Sequence, residues 1–581
     1  MEGTKLEISG AKVPNETHSP TATYKQLPEN DMEDQVPARP KSLIKETTNS
    51  ELDGADERML PDEDKKLSSN INIAEVKFTS NDKQNGDAKL DIGEIKTGFV
   101  GMGKEELMKY ANDPFWVRLR WFLFILFWAL WAGMLVGAVM IIVSAPKCDP
   151  PEPKTWWEEG PLTEVSLGDT AWTVDDLKLL KDEGFTGVII PYPGDTYKQL
   201  NATGPFMAFL NLTKKLDINV IVDLKPSVSQ MWLNQSATKD ADFANFYIWS
   251  DGSESKPPNN WLAKDSNDNE KKTAWTFNNA RKQFYFSPEG LPHLNFREPA
   301  VVDKFTKVLE GFLDAGVKGI RLNGAPNLLV NSQLVDETPK QQPSDISQNH
   351  YDFYMHTKTE YLPELGDLLK PWRHLIKNKT DNAGVFMLAE NLETLKPFKV
   401  NSTLVVDLPK HSNVFQQEIS TAENLKDRLD ASIKFLEHNW PMWQVSNESS
   451  VDLSAVAYLL KGSMILNKDT KIEADLKEVR KSASIIFGSQ QTHLMANRTV
   501  FAYVREWVHS GNPGFIVAVN PTDELVVVDF LIEVPKVADE VTVQYIKIPT
   551  EGVSLKMKHT SSGFPMAPHN TVVLSYVPKS D

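Results

Sequence analysis

One run of the sequence, from Trp121 to Ala145, contains 25 residues and no charged side chain. About 20 apolar residues are enough for an α-helix to cross the hydrocarbon core of a bilayer, at a rise of about 1.5 Å per residue. A cleaved signal peptide is the alternative, but such peptides lie at the extreme N-terminus and have shorter apolar cores. We therefore predict a transmembrane signal-anchor helix over residues 118–145.

Positive charge is distributed unevenly around this helix. The twenty residues before Trp121 hold four lysines and arginines, whereas the twenty after Ala145 hold two. Cytoplasmic flanks of membrane helices carry the excess of lysine and arginine. We therefore expect a single-pass type II protein, with a cytoplasmic N-terminus and an external C-terminal part.

Possible glycosylation sites agree with this orientation. Seven N-x-S/T sequons follow the membrane helix, and such sequons mark surface positions in the external parts of proteins. They begin at Asn201, Asn211, Asn234, Asn378, Asn401, Asn447 and Asn497.

Two features near the helix point to a partner. Ala129, Gly133 and Gly137 recur at every fourth residue and form one small-residue face, against which another helix could pack closely. Ordinary glycine content of a membrane helix explains the same pattern equally well.

Cys148, in a proline-rich stalk at 146–160, is the only cysteine. An unpaired cysteine on the oxidising side favours an interchain disulfide over a free thiol.

Composition excludes several classes of site and partner. The net charge of −17 argues against nucleic acid as a partner, because phosphate binding needs clustered positive charge. The 11 histidines show no metal-ligand spacing, so we predict neither a metal nor a cofactor. Residues 1–100 hold only three of the 55 aromatic residues, so we predict a mostly disordered cytoplasmic tail over 1–117, with a short helix within 101–113.

The remainder of the chain has the pattern of an α/β fold. Short apolar runs rich in β-branched residues alternate with helical patterns, which predicts a (β/α)8 TIM barrel over 161–484. Beyond residue 485 the strands follow one another directly, which predicts a C-terminal antiparallel β-sandwich domain over 485–581. The expected barrel strands lie within 185–193, 218–226, 318–325, 384–391, 402–409 and 462–467, and two expected helices lie at 173–184 and 300–316.

The barrel sequence resembles the α-amylase family of glycosidases. The run LNFREPAVVDKFTKVLEGFLDAGVKGIRLNGA at 294–325 is similar to the segment that leads into that family's nucleophile strand, and INVIVDLKP at 218–226 is similar to its preceding conserved strand. The resemblance implies that Asp223, Asn323, Glu390 and Asn439 stand at the family's functional positions, where Asn323 replaces the nucleophilic aspartate and Glu390 occupies the acid/base position.

These replacements predict a barrel without catalytic residues. Retaining glycoside hydrolysis needs two carboxyl groups about 5 to 5.5 Å apart, one attacking and one protonating the leaving oxygen. An amide at Asn323 is a poor nucleophile, and the Asn-His pair that follows the family's conserved aspartate is replaced by Ser227 and Val228. We therefore expect a protein that is not an enzyme. On this interpretation Glu390 is a polar residue at a strand end without a catalytic role.

The whole combination resembles the heavy subunits of heteromeric amino-acid transporters, the family of the 4F2 heavy chain. The similarity is most specific in VRLRWFLFILFWALWAGMLVGAVMIIVSAPKC and in FAYVREW. It implies that Cys148 is disulfide-linked to a polytopic light chain of the L-type, y+L-type or cystine/glutamate exchanger group. The heavy subunit would stabilise this light chain in the lipid of the plasma membrane and deliver it there, and family members also associate with integrins.

Three alternatives stay open. Within the same family, the heavy chain of the cystine and dibasic amino-acid system is the closest alternative, but it normally holds several extracellular cysteines. A homodimeric adhesion or receptor glycoprotein would pair Cys148 with its own copy. A membrane-anchored α-glucosidase would need a carboxylate at position 323, where the sequence has Asn323.

Overall fold

The protein is described here by a computed structural model. It describes residues 103–144, 151–168, 172–193, 196–198, 200, 203–226, 229–341, 346–416, 419–445, 453–507, 511–534 and 536–579. The predicted disordered tail as far as residue 102, Cys148, Asn201, Asn447 and the pair Ser227 and Val228 lie outside the described residues.

Two helices precede the stalk. The first, Lys104–Ala111, lies within the predicted juxtamembrane segment, and the second runs from Pro114 to Ser144. Pro114 stands at the first helical position, where its missing N–H costs no hydrogen bond, so the long helix begins before the predicted residue 118. Its 31 residues extend about 46 Å at a rise of about 1.5 Å per residue, and its length and composition are sufficient to cross a membrane.

A parallel sheet of seven strands forms the wall of the barrel. Its order in space is β6-β7-β1-β2-β3-β4-β5. The strands are β1 (Leu162–Glu164), β2 (Gly187–Pro191), β3 (Asn219–Leu224), β4 (Gly319–Leu322), β5 (Val385–Leu388), β6 (Met442–Gln444) and β7 (Ser463–Leu466).

Residues 405–409 close the barrel between the two edge strands. The Asp407 N–H donates to the carbonyl of Phe386 at 2.8 Å, and Met387 and Leu408 form a parallel bridge. On the other side the Met442 N–H donates to the carbonyl of Pro409 at 3.1 Å. This segment therefore serves as the eighth member of the ring, in agreement with the predicted (β/α)8 barrel.

Helices cover the outside of the barrel, and local sequence signals set their ends. Thr173 caps the helix Val174–Glu183 through a reciprocal pair of hydrogen bonds with Asp176, and Gly184 ends this helix in the left-handed region at φ 96°. Gly316 ends the helix before β4 in the same way, at φ 102°. The helices are Trp156–Glu159, Val174–Glu183, Pro205–Lys215, Gln230–Ala237, Pro299–Ala315, Leu365–Lys379, Ala422–Leu436, Ser454–Leu459, Ala474–Arg480 and Ala483–Ile486.

Apolar side chains fill the space enclosed by the strands. This inner cluster includes Leu162, Ile189, Ile221, Met387 and Ile465, all at most 3 % exposed. A larger cluster lies between the strands and the surrounding helices. Burial on both faces explains why the barrel strands are nearly continuous apolar runs.

Irregular excursions leave the barrel between β3 and β4 and after β4 and β5. The first contains a small sheet of Trp249–Ser250, Trp275–Asn278 and Gln283–Phe286, which has its own aromatic core around Trp261. A hairpin joins Lys399–Val400 to Thr403–Leu404. Single 3₁₀ turns lie at Ala325–Asn327, Tyr351–Phe353 and Lys396–Phe398.

The C-terminal part is an antiparallel sheet of six strands in the order β8-β9-β10-β13-β11-β12. A two-stranded sheet of Val526–Val528 and Phe564–Met566 packs on its outer face. The six strands are β8 (Ser489–Met495), β9 (Val500–Glu506), β10 (Gly514–Val519), β11 (Glu540–Ile546), β12 (Lys558–Thr560) and β13 (Thr571–Tyr576).

One predicted strand of this domain is partly a helix. The apolar run at 524–532 reads as one strand, but residues Phe530–Glu533 form a helical turn. The Asp529 carboxylate accepts a hydrogen bond from the Leu531 N–H at 3.0 Å and caps that turn.

The other face of the C-terminal sheet packs on the barrel. Phe501, Tyr503 and Val517 belong to the same buried cluster as the barrel helices. The Tyr503 hydroxyl donates to the carbonyl of Val456 at 2.6 Å, and the fully buried Arg505 guanidinium donates to the carbonyls of Leu459, Ile485 and Gly488. Barrel and sheet are therefore joined by a buried, hydrogen-bonded interface.

Candidate functional site at the barrel mouth

Charged side chains gather at the rim where the parallel strands end. In a (β/α)8 barrel this rim carries the functional residues, because the loops that follow the strands converge there. Glu164 ends β1, and Asp223 and Arg321 are the second-to-last residues of β3 and β4. Glu390 follows β5, and Lys410 follows the closing segment 405–409.

Arg321 ties two acidic residues together across the rim. Its Nη2 lies 2.6 Å from Oδ2 of Asp223, and its Nη1 donates to the carboxylate of Glu164. The side chains of Arg321 and Asp223 are each 11 % exposed. Burial alone would lower the pKa of Arg321, but the two carboxylates outweigh it and raise the pKa above its usual value.

Glu390 has a different environment. Its Oε1 accepts a hydrogen bond from the Gly324 N–H, and its Oε2 is buried without a hydrogen-bond partner among the described residues. Burial raises the pKa of this carboxyl above its ordinary value of 4.5, more than the Gly324 N–H lowers it. A carboxyl of this kind holds its proton to a higher pH than an exposed glutamate does.

Asn323 and Glu390 follow the ends of the neighbouring strands β4 and β5. Leu322 of β4 pairs with Leu388 of β5, and the Ala389 N–H donates to the carbonyl of Leu322 at 3.0 Å. Asn323 follows β4 directly, and its N–H donates to the carbonyl of Leu224 at 2.9 Å. The structure therefore places Asp223, Asn323 and Glu390 at one rim of the barrel.

The fourth residue of that set does not join them. Asn439 precedes β6, and its Nδ2 donates to the carbonyl of Leu436 at the end of a helix. Because the strands are parallel, the chain before β6 lies at the opposite rim from the ends of β3, β4 and β5. The residues just after Gln444, which ends β6, would be the ones to reach the mouth.

Sequence reasoning missed Glu164 and Lys410. Glu164 lies in a strand of three residues, too short for a periodic pattern, and a charged residue at the end of a short apolar run was the only signal. Burial lowers the pKa of Lys410, and repulsion from Arg321 lowers it further. Its Nζ lies 3.2 Å from Oε1 of Gln444.

Asn323 lines a cavity of about 350 Å³. Glu289 lines the same cavity, and its carboxylate is paired with two lysines. Glu289 pairs with Lys225 at 2.6 Å and with Lys264 at 3.0 Å. Burial would raise the pKa of Glu289, but the two ammonium groups outweigh it and hold that pKa at about 2. His293 also lines the cavity, and burial lowers the pKa of its imidazole to about 4, so it is neutral at pH 7.

The rim has charged and polar groups that can bind a ligand, but few groups that could act as a nucleophile at the anomeric carbon of a sugar. One carboxylate, Asp223, is neutralised by Arg321, the neighbouring side chain is the amide of Asn323, and Glu390 is the remaining acid of the set that the amylase resemblance implied. Glu164, the other carboxylate of the rim, is bonded to Arg321 as well. Among the described residues no group of three or more histidine, cysteine or acidic side chains is placed to hold a metal ion.

The small-residue face of the long helix is open. Every large apolar side chain from Trp121 to Val143 is exposed along this helix. A Cβ added to Gly133 or Gly137 would meet no atom within 4 Å. Ala129 is exposed as well, so the face has room for another helix.

The described sequons are on the surface. Each of the five asparagines is exposed: Asn211, Asn234, Asn378, Asn401 and Asn497. An eighth sequon, at Asn15, precedes the membrane helix and lies outside the described residues.

Two protein-family models match the chain. The model described as the N-terminus of solute carrier family 3 member 2 matches residues 87–163, and the model of the α-amylase catalytic domain matches residues 200–450. The first range contains the long apolar helix and the stalk, and the second contains β3, β4, β5 and the rim residues just described except Glu164.

Known proteins of two kinds are similar. The salivary alpha-glucosidase of Aedes aegypti is 28 % identical over 282 residues, which are 41 % of this chain and 48 % of that protein. The amino acid transporter heavy chain SLC3A2 of Oryctolagus cuniculus is 35 % identical over 199 residues, which are 29 % of this chain and 38 % of that protein. The chain thus matches less than half the length of either relative.

The similarity to solved structures concerns the fold. The crystal structure of the alpha-glucosyl transfer enzyme XgtA superposes with a TM-score of 0.57 at 17 % identity, and the match covers 73 % of this chain and all of that one. Together, the two family models and the amino acid transporter heavy chains SLC3A2 and SLC3A1 make this chain similar to the 4F2/rBAT-like heavy chains, with an α-amylase-like barrel.

Proposed function

We propose that this chain is the ancillary heavy subunit of a heteromeric amino-acid transporter, disulfide-linked through Cys148 to a polytopic light chain. It stabilises that light chain and delivers it to the plasma membrane. The observation that carries the proposal is the match of residues 87–163 to the N-terminus of solute carrier family 3 member 2, because this range holds both the membrane helix and Cys148. The similarity to an amino acid transporter heavy chain supports it.

The single apolar helix of this chain supports the proposal that the partner carries out the transport. A charged or zwitterionic amino acid needs a polar path through hydrocarbon, and such a path must be enclosed by protein. One long apolar helix, with exposed side chains on all faces, encloses nothing. A polytopic partner packed on the face of Ala129, Gly133 and Gly137 would provide the path.

The barrel acts in this proposal as a scaffold and not as an enzyme. Arg321 neutralises Asp223, Asn323 offers an amide, and the Gly324 N–H engages one oxygen of Glu390. Retaining hydrolysis would need a free carboxylate about 5 to 5.5 Å from the acid. The exposed sequons and the predicted topology support an external, glycosylated position for this barrel.

Two observations favour a second candidate, an anchored α-glucosidase. The alpha-glucosidase of Aedes aegypti is similar over 282 residues, and the buried Glu390 has the raised pKa of a general acid. Hydrolysis of a chromogenic α-glucoside by the purified protein, lost in Glu390→Gln, would establish this activity. We expect no hydrolysis above the rate of the Glu390→Gln control.

The main test is purification of the full-length protein from its native membrane, with the Cys148→Ser variant as control. Non-reducing and reducing gels with mass spectrometry of the adduct would identify the partner. We expect an adduct with a polytopic amino-acid permease that is absent from Cys148→Ser. A homodimer as the sole adduct would support the adhesion or receptor alternative, and a free thiol without a permease would contradict the heavy-subunit proposal.

A further inference from the structure

The five described sequons fall into two structural classes. Three of them lie in barrel helices: Asn211 in Pro205–Lys215, Asn234 in Gln230–Ala237 and Asn378 in Leu365–Lys379. The other two lie in turns, where Asn401 has φ 51° and Asn497 has φ 55°. The asparagine is exposed in both classes, so exposure of this residue does not separate them.

The second recognition element of a sequon is the hydroxyl two residues later, and in the helical class it is buried. Residues two apart on an α-helix point about 200° away from each other. Thr213 and Ser236 are 0 % exposed and Thr380 is 5 % exposed. Each helical sequon thus presents its asparagine to solvent and its hydroxyl to the core.

These buried hydroxyls are also occupied by hydrogen bonds. Thr213 donates to the carbonyl of Leu210 at 2.9 Å, and Ser236 donates to that of Ala244 at 3.1 Å. Thr380 donates to the carbonyl of Ile376 at 2.6 Å and accepts from a neighbouring backbone N–H. Exposing Thr213 or Ser236 requires the local helix to unfold, and exposing Thr380, the C-cap of Leu365–Lys379, requires that helix end to unfold.

The turn class differs. Asn401 and Ser402 form the two-residue turn between Lys399–Val400 and Thr403–Leu404, and both central residues have positive φ, as such hairpin turns require. Asn401 and Thr403 are both exposed on this turn. Asn497 is exposed, and Thr499, in the same turn between β8 and β9, is half-buried and donates to the carbonyl of Ala496 at 2.6 Å. Exposing this hydroxyl requires a change in the turn alone and no unfolding of a helix.

The chemistry of the modification explains why this difference matters. The side-chain nitrogen of asparagine attacks the anomeric carbon of a lipid-linked oligosaccharide pyrophosphate. The new N–C bond forms as the bond from that carbon to the pyrophosphate oxygen breaks, the lipid pyrophosphate leaves, and the nitrogen loses a proton. One enzyme site must hold this asparagine and the hydroxyl at the same time, because the sequon is read as a unit.

We propose that Asn211, Asn234 and Asn378 accept a glycan only before the barrel folds, whereas Asn401 and Asn497 remain acceptors on the folded protein. The inference rests on the external position of the barrel given under the proposed function. It assigns the helical sites to the period of chain translocation.

The test uses the full chain translated into endoplasmic-reticulum microsomes. A membrane-permeant Asn-Tyr-Thr acceptor tripeptide is present in excess during translocation and folding, and is then washed out. Site occupancy is measured by mass spectrometry after enzymatic deglycosylation in ¹⁸O water, which marks each formerly glycosylated asparagine. A parallel reaction without tripeptide gives the occupancy reached during translocation.

Without tripeptide we expect glycans at all five sites. After washout we expect glycans at Asn401 and Asn497, and at least a tenfold lower occupancy at the helical three. A Trp372→Ala variant removes a fully buried side chain from the helix that carries Asn378, and should restore late glycosylation there.

Late glycosylation of the helical sites at the level of Asn401 would overturn the inference, and so would failure of Asn401 and Asn497 to react after washout. Helical sites that stay empty in both reactions, while Asn401 is modified, would also contradict it. Absence of glycans at all five sites without tripeptide would instead contradict the proposed orientation of the chain.

Discussion

The Nη2 of Arg321 lies 2.6 Å from Oδ2 of Asp223, and these two residues stand on adjacent parallel strands, paired in register across β3 and β4. Both side chains are 11 % exposed. The contact fixes the strand ends at the mouth and leaves Asp223 without a free charge. It links the sequence run that resembles the amylase nucleophile strand to the integrity of the fold.

Removing the arginine from this pair should destabilise the protein. Arg321→Met leaves the nearly buried carboxylate of Asp223 without its partner, and breaking a buried pair in this way costs about 3 kcal/mol or more. We expect a loss of that size in the free energy of unfolding, measured by urea denaturation of the purified protein. The matched control is Lys307→Met, which breaks a solvent-exposed pair with Asp303 and should leave the free energy of unfolding almost unchanged. Equal effects of the two variants would refute a structural role for the Arg321 pair.

Glu390 should make the stability of the protein fall as pH rises. Its folded pKa is raised above 4.5 by burial, so the folded state binds a proton more tightly than the unfolded state does. The stabilisation from the protonated carboxyl is present below the unfolded pKa and is lost as pH rises through the folded pKa. Glu390→Gln stays neutral, so its stability relative to wild type should increase from about pH 4.5 upward and then level off. A pH-independent difference between the two proteins would contradict the buried environment of Glu390.

Glu289 should have the opposite effect. Lys225 and Lys264 hold its folded pKa at about 2, so its contribution to stability is present above the unfolded value of 4.5 and is lost as pH falls toward 2. Glu289→Gln should therefore be less stable than wild type at pH 6, and the difference should shrink between pH 4.5 and 3. Unfolding by urea at several pH values measures this difference, with the exposed Glu270→Gln as control. A difference that stays constant down to pH 3 would show that the two lysines do not stabilise this carboxylate.

The sequence predicted the barrel well where its signals are local. Gly184 and Gly316 stand at helix ends because only glycine adopts their left-handed conformation without strain, and the structure confirms both ends. The apolar runs that became β2, β3, β4 and β5 are buried on both faces, which is why they could be read without periodicity.

Contacts between residues far apart in the chain could not be predicted from the sequence. Residues 405–409 close the ring through single contacts to Phe386 and Met442 and not through a full ladder. The pairing of Arg321 with Glu164 joins residues 157 positions apart in the chain. The placement of Asn439 at the opposite rim depends on β6 beginning after it, at Met442, a boundary that the apolar pattern did not fix.

Under the proposed function, the face of Ala129, Gly133 and Gly137 is required for association with the light chain. Gly133→Leu and Gly137→Leu fill space that is empty around these glycines, so neither should disturb this chain itself, but each would hold a neighbouring helix away. We expect the amount of permease that co-purifies under reducing conditions to fall several-fold in both variants. Ala138→Leu is the matched control, because it adds a leucine side chain about 140° from Gly133 and about 100° from Gly137 around the helix. Equal losses in all three variants would indicate a general effect on the membrane helix, and no loss in the two glycine variants would show that this face contacts lipid alone.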